Sequence, residues 1–212
     1  MNVTLIQATT FPEQLCGAAA AVCTNTEDYE KSLKHALASG HTSVLEHAVF
    51  TFKVEGLSRA ALAQLTRHRL ASFDVQSQRY VKLDNPELVI PETVRGSRYA
   101  AEVESTMRYV MNLYQRLVDE GIPCEDARYV TPQAVPTTLI MTMNARELLH
   151  FFSLRCCNRA QREIRELADE MLKICKEISP VIFEKAGPGC VTDICPEKHP
   201  CGHPRSRDDW DE

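Results

Sequence analysis

The chain has 212 residues, 44% of them hydrophobic and 25% charged, a composition for one globular domain with a sizeable core. A formal net charge of -5 argues against non-specific binding to nucleic acid or to an acidic membrane surface, so its arginines are expected to serve a local site for a small anion. No run approaches the ~20 continuous apolar residues of a membrane span, the first residues lack the basic and apolar regions of a leader, and nine cysteines are an odd number. The expectation is a cytoplasmic protein with reduced thiols.

In chain order, Val3 to Gln7 predicts a short strand, and Glu13 to Cys23 and Glu27 to Ser39 predict two helices, the second stopped by Gly40. Phe50, Phe52 and Val54 alternate with Val49, Thr51, Lys53 and Glu55, the period of two of a strand with one buried face. Ser58 reads as the N-cap of a helix that buries Ala61, Leu62 and Leu65 and delivers Arg67, His68 and Arg69 at its C-terminal end, where cations suit the dipole. A loop from Asp84 to Ser97 leads to an amphipathic helix, Tyr99 to Glu120, closed by Gly121. A short helix over Cys124 to Val130 precedes a strand in which Leu139, Met141 and Met143 alternate with Thr138, Ile140 and Thr142. Asn144 caps one long helical pattern from Ala145 towards Ile178, in which a break is expected near Cys157. Neither a GxGxxG nor a GxxxxGK[ST] motif occurs, so any nucleotide is held by other means.

Two stretches concentrate anion-binding chemistry. Arg67-His68-Arg69 is followed after seven residues by Ser77, Gln78 and Arg79, and guanidinium forks match phosphate or the carbonyl edge of a pyrimidine. On the long helical pattern Arg155, Arg159 and Arg162 fall at i, i+4 and i+7 and would share a face, with Glu163 and Glu166 as candidate partners. Arg155 follows Phe151, Phe152 and Leu154, so its charge emerges from an apolar wall, where a ligand or a buried salt bridge must answer it.

These stretches resemble the flavin-dependent thymidylate synthases. That family carries RHR, seven residues and a serine, with an Arg-Tyr pair that Arg79 and Tyr80 match. Three more matches lie in order along the chain: GHTSVLEH with the following Phe50 to Phe52; Ala127-Arg128, with Arg128 sixteen residues before Asn144; and Asn144-Ala145-Arg146 with His150, Leu154 and Arg155. The resemblance implies an α+β fold, a small mostly antiparallel sheet packed with long helices, in a homotetramer with active sites between subunits. It implies conversion of dUMP to dTMP, with methylenetetrahydrofolate as one-carbon donor and NADPH as reductant through FAD. Carried over residue by residue, FAD contacts fall on Ser43, Glu46, Arg67, His68, Arg69, Asn144, Arg146, His150 and Arg159. Contacts to dUMP fall on Gln64, Arg67, Ser77, Gln78, Arg79, Arg128 and Arg155. Arg155 is the catalytic candidate: it stays protonated and so stabilises a uracil deprotonated at N3 rather than acting as a base.

Two departures stand out. Val75 occupies the place where many members have Glu or Gln, and either Gln76 substitutes or that contact is lost; Arg159 stands where the family often has His. The alternative implied is a flavin- or nucleotide-binding homologue without synthase activity. Ser77 as a covalent nucleophile lacks an adjacent general base. Cys156 and Cys157 near the site read as small buried helix residues rather than attacking thiolates. Residues 1–187 are expected to form the synthase domain and 188–212 a Cys/His-containing C-terminal tail, whose last residues, 205–212, are polar, charged and expected to be mobile. That tail holds Cys190, Cys195, Cys201, His199 and His203, ligand types for zinc, but lacks the CxxC pairs of a usual structural site, and no metal is assigned.

Overall fold

The strand alternation sets the sheet. In the computed structural model, which describes residues 1–192 and 195–210, β1 (Asn2–Ala8), β2 (Val49–Ser58), β3 (Ala71–Val75) and β4 (Pro136–Asn144) form one antiparallel sheet in the order β1-β2-β4-β3. Phe52 pairs with Met141 and Phe50 with Met143, all on the buried face at 0–1% exposure. On the opposite face Thr51 and Thr142 place their hydroxyls 3.0 Å apart. Gly56, at φ 80°, sits where the register of β2 against β4 shifts between Glu55 and Leu57, a bulge that a side chain with Cβ would strain.

Helices cover the buried face. α7 (Ala145–Arg155) contributes Leu148, Phe151 and Phe152, and α8 (Arg162–Ile178) contributes Ile164, Leu167, Ala168, Met171, Leu172 and Cys175, each 0% exposed. Burying such side chains stabilises the fold by about 1.5–3 kcal/mol apiece for the larger ones. α1 (Pro12–Thr24) and α2 (Tyr29–Ala38) pack against each other so closely that a Cβ on Gly17 would meet the Tyr29 carbonyl oxygen at 2.4 Å. A 3₁₀ turn, Thr42–His47, leads from α2 into β2. Ser58 caps α3 (Arg59–Leu65) by accepting from the Ala61 N–H, and Asn144 caps α7 by accepting from the Glu147 N–H at 2.9 Å. After the short, unburied α4 (Glu92–Arg95), a second, smaller core gathers Leu83, Tyr114, Ala127 and Val135 against the long α5 (Ala100–Asp119) and the short α6 (Cys124–Ala127). α9 (Pro180–Phe183) adds Phe183 to the main core. Among the described residues no helix is long and apolar enough to cross a membrane.

One strand was not expected, and two expectations are corrected. Residues 71–75 form a strand, since Ala71, Phe73 and Val75 half-bury one face while Ser72 and Asp74 stay exposed. The long helical pattern breaks where expected, around Cys157: α7 ends at Arg155, and Gln161 starts α8 by accepting from the Ile164 N–H. Arg155, Arg159 and Arg162 therefore do not share a helix face; Arg162 pairs with Glu166 at 2.7 Å, while Glu163 accepts from the Ser58 N–H and hydroxyl at 2.6 Å each. The C-terminal segment is not a free tail, although 193–194 and 211–212 lie outside the described residues. Trp210 is 3% exposed, donates to Asp169 at 2.9 Å and lies under the Arg205 guanidinium, which itself contacts Asp169 at 2.8 and 3.0 Å. The segment closes over α8 because its indole and guanidinium find a half-buried carboxylate there.

Candidate active site

One face of α7 builds the centre of the site. Glu147, Phe151 and Arg155 stand at i, i+4 and i+8 and line up along the helix. Against this row lies His68, 5% exposed, edge-on to Phe151 with ring centroids 4.9 Å apart. Its Nδ1 is 3.1 Å from Glu147 Oε1, and Arg155 Nε donates to its Nε2 at 3.1 Å. A guanidinium Nε can only donate, so Nε2 must carry the lone pair and Nδ1 the proton. The order is then fixed: carboxylate, neutral imidazole, guanidinium. Glu147 is 5% exposed in the first turn of α7, where an anion suits the positive end of the helix dipole. With Nε engaged, the terminal nitrogens of half-buried Arg155 make no other hydrogen bond among the described residues.

Burial pushes the His68 imidazole below its ordinary value of 6.5; the Glu147 hydrogen bond and charge oppose this, while Arg155 and His150 add to it. As pH falls, the unfolded chain therefore takes up this proton first. Stability contributed by the neutral folded imidazole is complete above about pH 6.5 and declines below it, until the folded ring also protonates. The urea midpoint of the parent is expected to fall more steeply from pH 7 to 5 than that of His68→Gln, and parallel profiles would remove His68 as the cause.

Around this centre the expected cofactor residues are exposed cations. Arg146 pairs with Glu46 at 2.5 Å, and Arg146, His150, Glu147, Leu70 and Thr42 line a cavity of about 560 Å³. The His150 and His68 rings are 6.1 Å apart. Arg67 and Arg69 flank His68 on the surface, with no hydrogen bond or ion pair from either side chain among the described residues. Ser43 is exposed on the 3₁₀ turn and lines a separate cavity of about 480 Å³ with His35 and His41. Asn144 spends its side-chain oxygen on the α7 cap. Arg159 does not join the group: it donates to the His199 carbonyl and lies 3.9 Å from Glu197, held by the C-terminal segment.

The expected substrate residues lie mostly at the other end of β3. A five-residue strand spans about 17 Å, so His68, before β3, is well separated from Ser77, Gln78 and Arg79, after it. Gln78 and Arg128 line one cavity of about 400 Å³ together with Arg59. Arg79 is paired with Glu125 at 2.8 Å, and the Ser77 hydroxyl accepts from the Arg79 N–H at 3.2 Å with no base beside it. Gln64, on α3, is half-buried. Val75 pairs with Leu139 in the sheet, which accounts for an apolar side chain there, and the Gln76 carbonyl accepts from Arg59. One chain thus holds two separate groups: a histidine-arginine centre beside exposed cations, and a cavity lined by two arginines and a glutamine.

The sequence reading missed Glu147 and Arg59. Glu147 carried a weak signal, four residues before Phe151 and eight before Arg155; nothing in the sequence placed Arg59 beside Gln78 and Arg128.

The Cys156 thiol is poorly disposed for nucleophilic work. Cys156 is 0% exposed, and burial, with Asp169 beside it, drives its thiol far above the ordinary range. Cys157, Cys190, Cys195, Cys201 and His203 line a cavity of about 260 Å³, but among the described residues no three His, Cys, Asp or Glu side chains are disposed to hold a metal ion.

A family model described as thymidylate synthase complementing protein matches residues 4–181. The chain is 48% identical to a flavin-dependent thymidylate synthase of Geobacter sulfurreducens, over 93% of this chain and 91% of that protein. It is 40% identical to one of Clostridium tetani, with the same two coverages, 93% and 91%. It is 48% identical to one of Pyrococcus furiosus, over 81% of this chain and 74% of that one.

Proposed function

Because the chain belongs to the flavin-dependent thymidylate synthase family, we propose that it converts dUMP to dTMP with methylenetetrahydrofolate as one-carbon donor and NADPH as reductant through FAD. The observation that carries the assignment of roles is the Glu147-His68-Arg155 row, which leaves the Arg155 terminal nitrogens for a ligand.

Uracil C5 is a weak carbon nucleophile that strengthens as N3 loses its proton and negative charge spreads over the carbonyl oxygens. Arg155 stabilises that charge as it develops, with its donors fixed beforehand so that little reorganisation is needed. His68 holds Arg155 through Nε, and Glu147 holds His68 in the tautomer that can accept. Phe151 and Phe152 keep water from the inner side of this row, where hydrogen bonds to charge are worth more.

FAD fits the exposed cations. Arg67 and Arg69 have no anionic partner among the described residues, and a flavin diphosphate supplies one. Arg146 and His150 line the adjoining cavity. When bound, FAD supplies the hydride that completes the methyl group. The chain's part is to hold pyrimidine and flavin in contact. Ser43 and Glu46 extend the flavin-binding surface, and Asn144 retains its amide nitrogen for it. Arg159 serves there only if the C-terminal segment releases it.

Assembly as a homotetramer accounts for the division of the site. Half-sites at opposite ends of β3 cannot close on one ligand within one chain, whereas neighbouring copies can bring the arginine-glutamine cradle of one against the Arg155 centre of another. α5 supports this, because Val103, Met107 and Val110 remain only half-buried along one face. Residues 1–187 are the synthase unit, and 188–212 an appended segment.

The test is spectroscopic. The purified protein is expected to be yellow, to bleach with NADPH under anaerobic conditions, and to regain colour only when dUMP and methylenetetrahydrofolate are both added, with dTMP formed. Bleaching and recovery without dTMP would sink the proposal.

A further inference from the structure

Arg59 is in an unusual place for an arginine with no task. It opens α3, where the positive end of the helix dipole disfavours a cation, and it shares a cavity with a second guanidinium, Arg128. No ion pair involves Arg59 or Arg128 among the described residues. The nearby carboxylates are occupied: Glu125 by Arg79, and Glu163 by the Ser58 N–H and hydroxyl. The two charges repel each other, and burial together with Arg128 depresses the Arg59 guanidinium.

The polar inventory is incomplete in the same spot. Arg59 donates through Nη2 to the Gln76 carbonyl at 2.9 Å, and Arg128 through Nε to the Glu125 carbonyl at 3.1 Å. Arg59 Nε and Gln78 Nε2 are shielded from water and make no hydrogen bond among the described residues. An unmade bond at a buried donor costs about 1–3 kcal/mol. Two such donors and two cations without an ion pair among the described residues, around one cavity of about 400 Å³ with Thr131 and Gln133 on its wall, suit the place to an anion.

We propose that Arg59, with Gln78 and Arg128, binds the phosphate of the nucleotide, and that Arg59 sets the preference for a phosphate monoester over the bare nucleoside. A phosphate dianion has three terminal oxygens, enough to accept from the arginine fork, the amide and the second guanidinium together. It also removes the repulsion between the arginines. This deepens the dUMP reading above and rests on it. Arg59 adds a residue to the cradle that the motif pattern does not contain.

The experiment titrates the holoenzyme with dUMP, deoxyuridine and inorganic phosphate by calorimetry, for the parent, Arg59→Gln and Arg59→Lys. Arg59→Gln is expected to weaken dUMP and phosphate about 10- to 100-fold, as expected for losing a hydrogen bond to charge, and to leave deoxyuridine unchanged. Arg59→Lys keeps the charge without the fork and should fall between. Equal weakening of dUMP and deoxyuridine, or dUMP affinity within twofold of the parent in both variants, would overturn the proposal. If Arg59→Gln fails to fold, an unchanged dUMP affinity in Arg59→Lys overturns it alone. Phosphate bound in an Arg59-dependent way by a holoenzyme that ignores dUMP would keep the cradle and remove the nucleotide reading.

Discussion

Arg155→Ala is expected to retain its flavin and its fold while turnover falls by about 10²- to 10³-fold, the usual cost of deleting one fixed donor to developing negative charge. The guanidinium is half-buried at the last turn of α7 and makes one hydrogen bond among the described residues, to His68 Nε2 at 3.1 Å. Its removal leaves one imidazole nitrogen without a donor, a penalty of about 1–3 kcal/mol that a domain of ordinary stability tolerates. The exposed cations assigned to the flavin, Arg67, Arg69 and Arg146, are untouched. Arg155→Lys keeps a positive donor but loses the fork and should recover part of the rate. The checks are the flavin-to-protein ratio, the thermal midpoint and the rate of dTMP formation in a single anaerobic turnover. A single-turnover rate within tenfold of the parent in Arg155→Ala would take that residue out of the chemistry.

Glu147→Ala is expected to lower kcat about 100-fold, the order expected when a reacting pair is misplaced by about 1 Å, with a smaller change in KM for dUMP. The carboxylate accepts a hydrogen bond from the His68 Nδ1–H inside the protein, with both side chains 4–6% exposed. Without it the imidazole can move its proton to Nε2, which then faces the Arg155 Nε–H donor to donor and pushes the guanidinium off its line. Glu147→Gln offers an amide oxygen to Nδ1–H at the same place and should preserve the tautomer and most of the rate. Nitrogen-15 spectra of His68 separate this from simple destabilisation. A lower thermal midpoint in Glu147→Ala, with kcat and the Nδ1–H tautomer unchanged, would reduce Glu147 to a structural residue.

Much of the sheet was legible because side-chain alternation is a local property. Phe50, Phe52 and Val54, and Leu139, Met141 and Met143, each state their own buried face. Ser58 and Asn144 announced the caps of α3 and α7 because a short polar side chain before an apolar run satisfies free N–H groups. β3 shows the same alternation in Ala71, Phe73 and Val75, but it is short and lies inside a stretch rich in polar groups, which masked it. The break near Cys157 was expected, but its extent was harder to place, because apolar spacing continued across it while the chain between Cys156 and Gln161 turned. The docking of the C-terminus depended on Asp169, more than thirty residues from Arg205 and Trp210, and no local pattern reports such a meeting.

The site was legible only where function and sequence proximity coincide. Arg155 was marked by the phenylalanines before it, and His68 by the arginines on either side. Glu147 looked like an ordinary first-turn acid, and Arg59 like an ordinary helical cation. Their importance comes from the partners that folding places beside them: His68, 79 residues from Glu147, and the cradle formed with Gln78 and Arg128.

The length of β3 has a further consequence for how such a catalyst behaves in a cell. On the proposed assembly, a molecule that carries half of two reaction chambers and the whole of none would work only in company. Thinning its population far enough to part the copies would silence the chemistry with every fold intact, tying thymidylate supply to abundance more steeply than in proportion.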